Sequence, residues 1–258
     1  MGYDTIQTEV RDHVGFITFN RPEQLNTFNS ALANEFNAAL KAFESDTDVR
    51  AIIVAGSGKA FCAGIDIKEL EGKACVDYYF WVKQMEAMSL AIADMGTPVI
   101  ASVQDLAVAN GIGVVASADL AIAAEGARFG ATAVNVGLFC MGPAVALSRN
   151  LGRKKALELV LTGDMIDAAE AHRIGLVNHV VPKEQLAEKT LALAQKLAGK
   201  SPLAVQLGKR SFYQMEDLDY SKAYEMVNNH FALLCSTEDA HEGVDAFLNK
   251  RKPEWKLR

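Results

Sequence analysis

Residues 5–10 and 13–19 form two short runs rich in β-branched and aromatic residues around a turn at Arg11-Asp12, a pattern that predicts an opening β-hairpin. Leu32, Phe36, Leu40 and Phe43 then recur at helical spacing behind Asn29-Ser30, residues suited to capping, so residues 30–45 are expected to form an amphipathic helix. A buried strand follows at 50–55. After a glycine-containing loop come a helical region at 76–95, a strand at 98–103, a short helix opened by Asn110-Gly111 and a strand at 120–124. Strands that alternate with helices imply an α/β sheet with crossover connections. From Pro143 onward helices dominate. Asp167 to Glu170 resembles a capping box, Ser201-Pro202 a cap with a first-turn proline, and helices are expected at 183–198, 202–214, 219–235 and 238–250. Only residues 175–181 still read as a strand there.

Composition narrows the class. The chain has 258 residues, 50% of them hydrophobic and 22% charged, enough for a large buried core. With 32 acidic against 26 basic residues it carries a net charge of −6 and no basic stripe, so nucleic acid is not an expected partner. The longest apolar stretch, 98–124, is broken by Asp105, Asn110 and Asp119, which argues against a membrane span. Cys62, Cys75, Cys140 and Cys235 form no CxxC pair, and no signal segment is visible at the amino terminus; both point to a reducing, cytoplasmic location. The five histidines lack metal-ligand spacing, and no metal is expected.

Two glycine-containing loops are the candidate chemistry. One runs from Gly56 to Glu69 behind a buried strand. The other, from Ala107 to Ala116, stands where a strand hands over to a helix. Small residues let backbone N–H groups approach a ligand, and two such loops with a helix N-terminus suit a carbonyl oxygen on which charge develops. A dinucleotide-binding reading of Gly111-Ile-Gly-Val-Val-Ala116 is disfavoured, because the next strand begins too soon for a full crossover helix.

An ordered set of motifs spans nearly the whole chain. It comprises Asn20-Arg-Pro22 with Leu25-Asn26, Lys59 to Glu69, residues 98–104 leading into Asn110-Gly111, Ser117-Ala-Asp119, Ala127-Arg-Phe-Gly130, Leu161-Thr-Gly163, Ala168-Ala-Glu-Ala171, Gly175-Leu-Val177 and Ala246 to Pro253. Together these resemble the crotonase, or enoyl-CoA hydratase/isomerase, family. The resemblance implies a ββα spiral core over 1–195, and a C-terminal helical trimerisation region over 196–258 that packs on the core and on neighbouring subunits of a homotrimer or homohexamer. It further implies an acyl-CoA substrate, no cofactor beyond the coenzyme A of that substrate, and an oxyanion hole made by the backbone N–H groups of Ile65 and Asn110. Ala63, Gly64, Asp66, Ile67 and Lys68 would line the coenzyme A groove, and Lys59, Phe247 and Lys250 match positions that contact it.

The chain departs from the hydratase pattern at both proton-transferring glutamates, which fall on Gly113 and Ala133. A third position, an aspartate in some relatives, falls on Met141. Such groups typically contribute ~10²–10⁴-fold each. Cys140, Asp66 and Glu86 are the remaining acid–base candidates, with capping the competing role for Asp66 and burial as an inert thiol for Cys140. The open alternatives are isomerase, decarboxylase or thioesterase chemistry in the same hole, or an acyl-CoA-binding subunit without catalysis. A serine protease is disfavoured because no Ser stands beside the oxyanion turn with recognisable partners.

Overall fold

The computed structural model describes residues 2–258. The hairpin forms as β1 (Ile6–Arg11) and β2 (Val14–Phe19), turned through Asp12 and His13. Parallel pairing then adds β3 (Ala51–Gly56), β5 (Val99–Val103), β7 (Leu120–Ala124) and β10 (His179–Val181), giving a six-stranded sheet in the order β1-β2-β3-β5-β7-β10. Both faces are covered. Along β3, Ile52 and Val54 point into the main core with Phe28, Leu32 and Phe36, whereas Ala51 and Ile53 meet Ala194 and the leucines of α7 (Leu186–Ala198) on the other side. The alternation follows from the two-residue period of a strand, and burial on both faces is why this strand reads as a continuous apolar run.

A second sheet of four short strands carries the site: β4 (Ala60–Cys62), β6 (Leu106–Val108), β8 (Arg128–Gly130) and β9 (Met165–Asp167) in the order β4-β6-β8-β9. Three-residue strands are too short to show a period, and this sheet was not legible in the sequence. The helix α1 (Ser30–Ser45) starts as expected, with the Asn29 side chain accepting from the Leu32 amide at 2.9 Å. The helical region at 76–95 forms as α2 (Cys75–Asp94). The short helix becomes α3 (Asn110–Ser117), wholly buried, and α4 (Met141–Asn150) takes Pro143 into its first turn.

One element is shorter than expected. The strand anticipated at 175–181 begins only at His179, because Gly175 (φ +86°) closes the end of α6 (Ala168–Arg173) and the Leu176 and Val177 amides turn back to the Ala171 carbonyl. Both capping signals hold: Asp167 accepts from the Glu170 amide at 2.8 Å and Ser201 from the Ala204 amide at 3.3 Å.

The last helices are α8 (Pro202–Glu216), α9 (Tyr220–Cys235) and α10 (Glu238–Leu248). Lys209 of α8 fastens this region to the sheet. Its ammonium lies 2.7 Å from Asp119 and 3.0 Å from the Thr97 carbonyl, while Asp119 also accepts from the Val99 amide and the Tyr213 hydroxyl.

Candidate active site at the ends of two parallel strands

Strands β4 and β6 pair in parallel, Cys62 opposite Ala107, so the loops leaving their C-terminal ends lie side by side. Open α/β sheets place ligands at such ends. Gly111 allows the close approach: a Cβ there would run into the Cys62 carbonyl, so only glycine lets α3 start directly above β4. Behind the loops, the wholly buried Asn26 donates to the Ser57 and Ala60 carbonyls at 2.8 Å each, and Gln104 donates to the Gly56 and Ala60 carbonyls.

The first loop is clamped along one edge. Ala63 donates to the Leu25 carbonyl, Phe28 donates to the Gly64 carbonyl and Asp66 donates back to the Phe28 carbonyl, the last two at 2.7 Å. This ladder leaves the Ile65 N–H turned away from Phe28, with no acceptor among the described residues. Asn110 is the first residue of α3, and its N–H likewise has no internal partner there. Each of these amides follows a residue at positive φ, Gly64 at +96° and Ala109 at +48°, and the two residues touch. The macrodipole of α3 adds partial positive charge beside the Asn110 amide. Two free amides and a helix start make a place for an oxygen that gains negative charge.

Asp66 serves the loop rather than the opening. Its carboxylate lies 2.9 Å from the Arg21 guanidinium and accepts from the Lys68 amide at 3.2 Å, while Arg21 also donates to the Thr27 carbonyl. Partial burial opposes ionisation of Asp66, but the Arg21 hydrogen bond, the Lys68 amide and the two positive charges outweigh it and hold the carboxyl below the usual range. Arg21 belongs to the Asn20-Arg-Pro22 motif, yet nothing in the sequence pairs it with a residue 45 positions away.

The remaining candidates separate clearly. Ile67 and Lys68 are exposed at the end of the first loop, Ala63 and Ile65 half-buried and Gly64 buried within it, and Lys59 is exposed in the turn between β3 and β4. Phe247 is 83% exposed and lines an apolar pocket with Ser201, Leu234 and Trp255, to which neither loop contributes; Lys250 follows α10 at φ +54°. Within one chain these two residues do not join the loops. The Cys140 thiol is pushed up by burial and by the charge of Glu86, the opposite of the depression a nucleophile needs. Burial alone raises Glu86 to about 7. The aromatic run on α2 divides by helical period: Trp81 is buried and donates to Glu69 at 2.9 Å and Tyr78 donates to the Leu70 carbonyl, while Tyr79 and Phe80 are exposed. The Asn110 side-chain nitrogen is buried and unpartnered among the described residues.

A doubly covered α/β core with two backbone amides poised over paired strand ends defines a crotonase-type protein. The enoyl-CoA hydratase/isomerase family model matches residues 9–258, and the chain belongs to that family of acyl-CoA enzymes. A probable enoyl-CoA hydratase from Rhizobium meliloti is 40% identical over the full length of both chains. Among solved structures, enoyl-CoA hydratase from Mycobacterium smegmatis superposes with a TM-score of 0.94 at 39% identity, covering 98% of this chain and 99% of that one. The human enoyl coenzyme A hydratase domain-containing protein 3 also gives 0.94, at 36% identity, over 98% of this chain and 100% of its own.

Proposed function

We propose that the Ile65 and Asn110 amides form the oxyanion hole of this enzyme, receiving the thioester oxygen of an acyl-CoA and stabilising the enolate that forms when a proton moves at the neighbouring carbon. The observation that carries this reading is the pair of unpartnered amides, each set by a positive-φ residue in contact with the other. Fixed donors aimed at a developing charge are typically worth ~10²–10³-fold per donor. The reaction belongs to enoyl-CoA chemistry of the hydratase or isomerase type. Coenzyme A would run along Ala63, Gly64, Asp66, Ile67 and Lys68, with Lys59 at its edge and Phe247 and Lys250 supplied by a neighbouring copy in a trimer or hexamer. Coenzyme A enters as part of the substrate, and no further cofactor is proposed. Four unpaired cysteines support a reducing, cytoplasmic location.

The test is calorimetric titration with a panel of acyl-CoAs, with product masses read in parallel. Binding of enoyl-CoAs with turnover is the expected result. Absence of binding across the panel overturns the site, and binding without any product overturns the enzymatic reading.

A further inference from the structure

The positions expected to hold acid–base glutamates carry Gly113, buried in α3, and Ala133, which is half-buried. A Cβ on Gly113 would meet the buried Pro143 at 3.1 Å, and Cys140 lies against the Ala133 backbone. Both neighbours sit at the start of α4. From the opposite side, α2 brings a carboxyl to that same helix start, for Glu86 lies flat upon Gly142, where any Cβ would fall inside its carboxyl group.

Two ties place Glu86 relative to the amides. Trp81 binds α2 to Glu69, at the end of the first loop, and Ser89 binds it to Ser117 at the far end of α3, at 2.9 Å. Glu86 lies between them in the sequence of α2, and its carboxyl rests on Gly142, next to the Pro143 that packs against Gly113, one turn into α3 from Asn110. No donor hydrogen-bonds its carboxyl among the described residues, and Cys140 is the titratable group that feels its charge. A half-buried carboxyl that neither caps a helix nor pairs with a cation has no structural task to explain it.

We propose that Glu86 is the proton-transferring group of this site, taking over from the α4 side the role that Gly113 and Ala133 leave empty. This rests on the acyl-CoA reading. With one carboxyl the balanced reaction is a proton shift. Glu86 takes a proton from the γ carbon of an α,β-enoyl thioester, and the C–H electron pair moves into a dienolate whose oxygen the two amides hold. While the dienolate is held, the half-buried carboxyl trades its proton with solvent, and it then delivers a proton to the α carbon, so the double bond moves to the β,γ position and no co-reactant is consumed. Run in reverse, the path begins with exchange of an α proton.

The experiment measures deuterium uptake into crotonyl-CoA in D₂O by mass spectrometry, alongside calorimetric binding, for the wild type, Glu86→Gln and Gly142→Ala. The expected result is exchange by the wild type and a loss of ~10²–10⁴-fold in Glu86→Gln with binding retained. Gly142→Ala displaces only the tip of a flexible side chain and is expected to fold normally, yet to lose at least about tenfold in exchange. That variant keeps the proposal testable even if Glu86→Gln unfolds. The wild-type rate rises with pH through about 7 and this dependence vanishes in Glu86→Gln. Equal exchange in wild type and Glu86→Gln, or binding by the wild type with no exchange, overturns the role of Glu86. Failure of the wild type to bind any acyl-CoA overturns the site reading instead.

Discussion

Gly64 and Ala109 lie back to back beneath the two free amides, both at positive φ, so close that a Cβ on Gly64 would stand 2.7 Å from that of Ala109. The contact sets the spacing between the Ile65 and Asn110 N–H groups, because each residue orients the peptide that follows it. Strain accompanies this arrangement at Ala109, a non-glycine residue at φ +48° and ψ −114°, and such conformations cost about 1–3 kcal/mol.

Substitutions at the two positions therefore have opposite effects on stability. Gly64→Ala combines a strained φ with a clash against Ala109 and is expected to lose roughly 1–3 kcal/mol, with turnover falling ~10²–10³-fold as one donor swings away. Ala109→Gly relieves strain and is expected to be neutral or to gain up to about 1 kcal/mol, since its more flexible unfolded chain offsets part of the relief. Urea unfolding of both variants checks this, and a Gly64→Ala protein as stable and active as wild type would sink the geometry.

The Arg21–Asp66 pair should make loop stability depend on acid. Asp66 titrates below its unfolded value, so its contribution is present above about pH 4 and is lost as pH falls through the folded value. Asp66→Asn is expected to lower stability by about 1–3 kcal/mol at pH 7, and the gap to wild type should close below pH 4. A gap that stays constant from pH 7 to pH 3 would mean that the charge of Asp66 is not what holds the loop.

Glu86 predicts the reverse sign. Its carboxyl is raised to about 7, so the folded protein holds a proton that the unfolded chain has released, and stability falls as pH rises from about 4.5 to 7. Glu86→Gln removes this penalty. Thermal or denaturant unfolding should show the variant gaining on wild type by on the order of 2 kcal/mol at pH 8 compared with pH 4. An identical pH profile for the two proteins would place Glu86 in water.

Lys209 and Asp119 fasten the helical extension to the sheet with side chains 7% and 14% exposed. Burial pushes both toward their neutral forms, and their mutual attraction works against it. Lys209→Ala leaves the Asp119 charge without its cation and is expected to cost about 3–5 kcal/mol, measured as a drop in the denaturant midpoint. A Lys209→Ala protein within about 0.5 kcal/mol of wild type would show that α8 is held by apolar packing alone.

The main sheet and its helices were legible because their signals are local. The cap at Asn29, the leucine and phenylalanine spacing of α1 and the apolar run of β3 all lie within one element and need no partner to be read. Motif order in the sequence singled out Ile65 and Asn110, which the fold sets at the ends of two paired strands, and the glycine and alanine at 113 and 133. Strand β9 and the displaced start of β10 were not legible, since three-residue strands follow from neighbouring strands and from the glycine that ends α6.

Side-chain partnerships were the larger gap. Arg21 meets Asp66, Trp81 meets Glu69, and Glu86 rests on Gly142 only because the chain crosses over between strands and returns separate elements to one place. Asp66 and Glu86 are both carboxylates on or near the same loops. One is ionised by a guanidinium and the other kept near neutrality by burial, a difference set by what surrounds each group in space. Hydrophobic period and turn chemistry are properties of neighbours along the chain, so the sequence carried the main sheet, its helices and the two loops, but not the second sheet. Desolvation and charge pairing are properties of neighbours through space, so which carboxyl is held ionised and which is kept near neutrality was decided only when the helices packed.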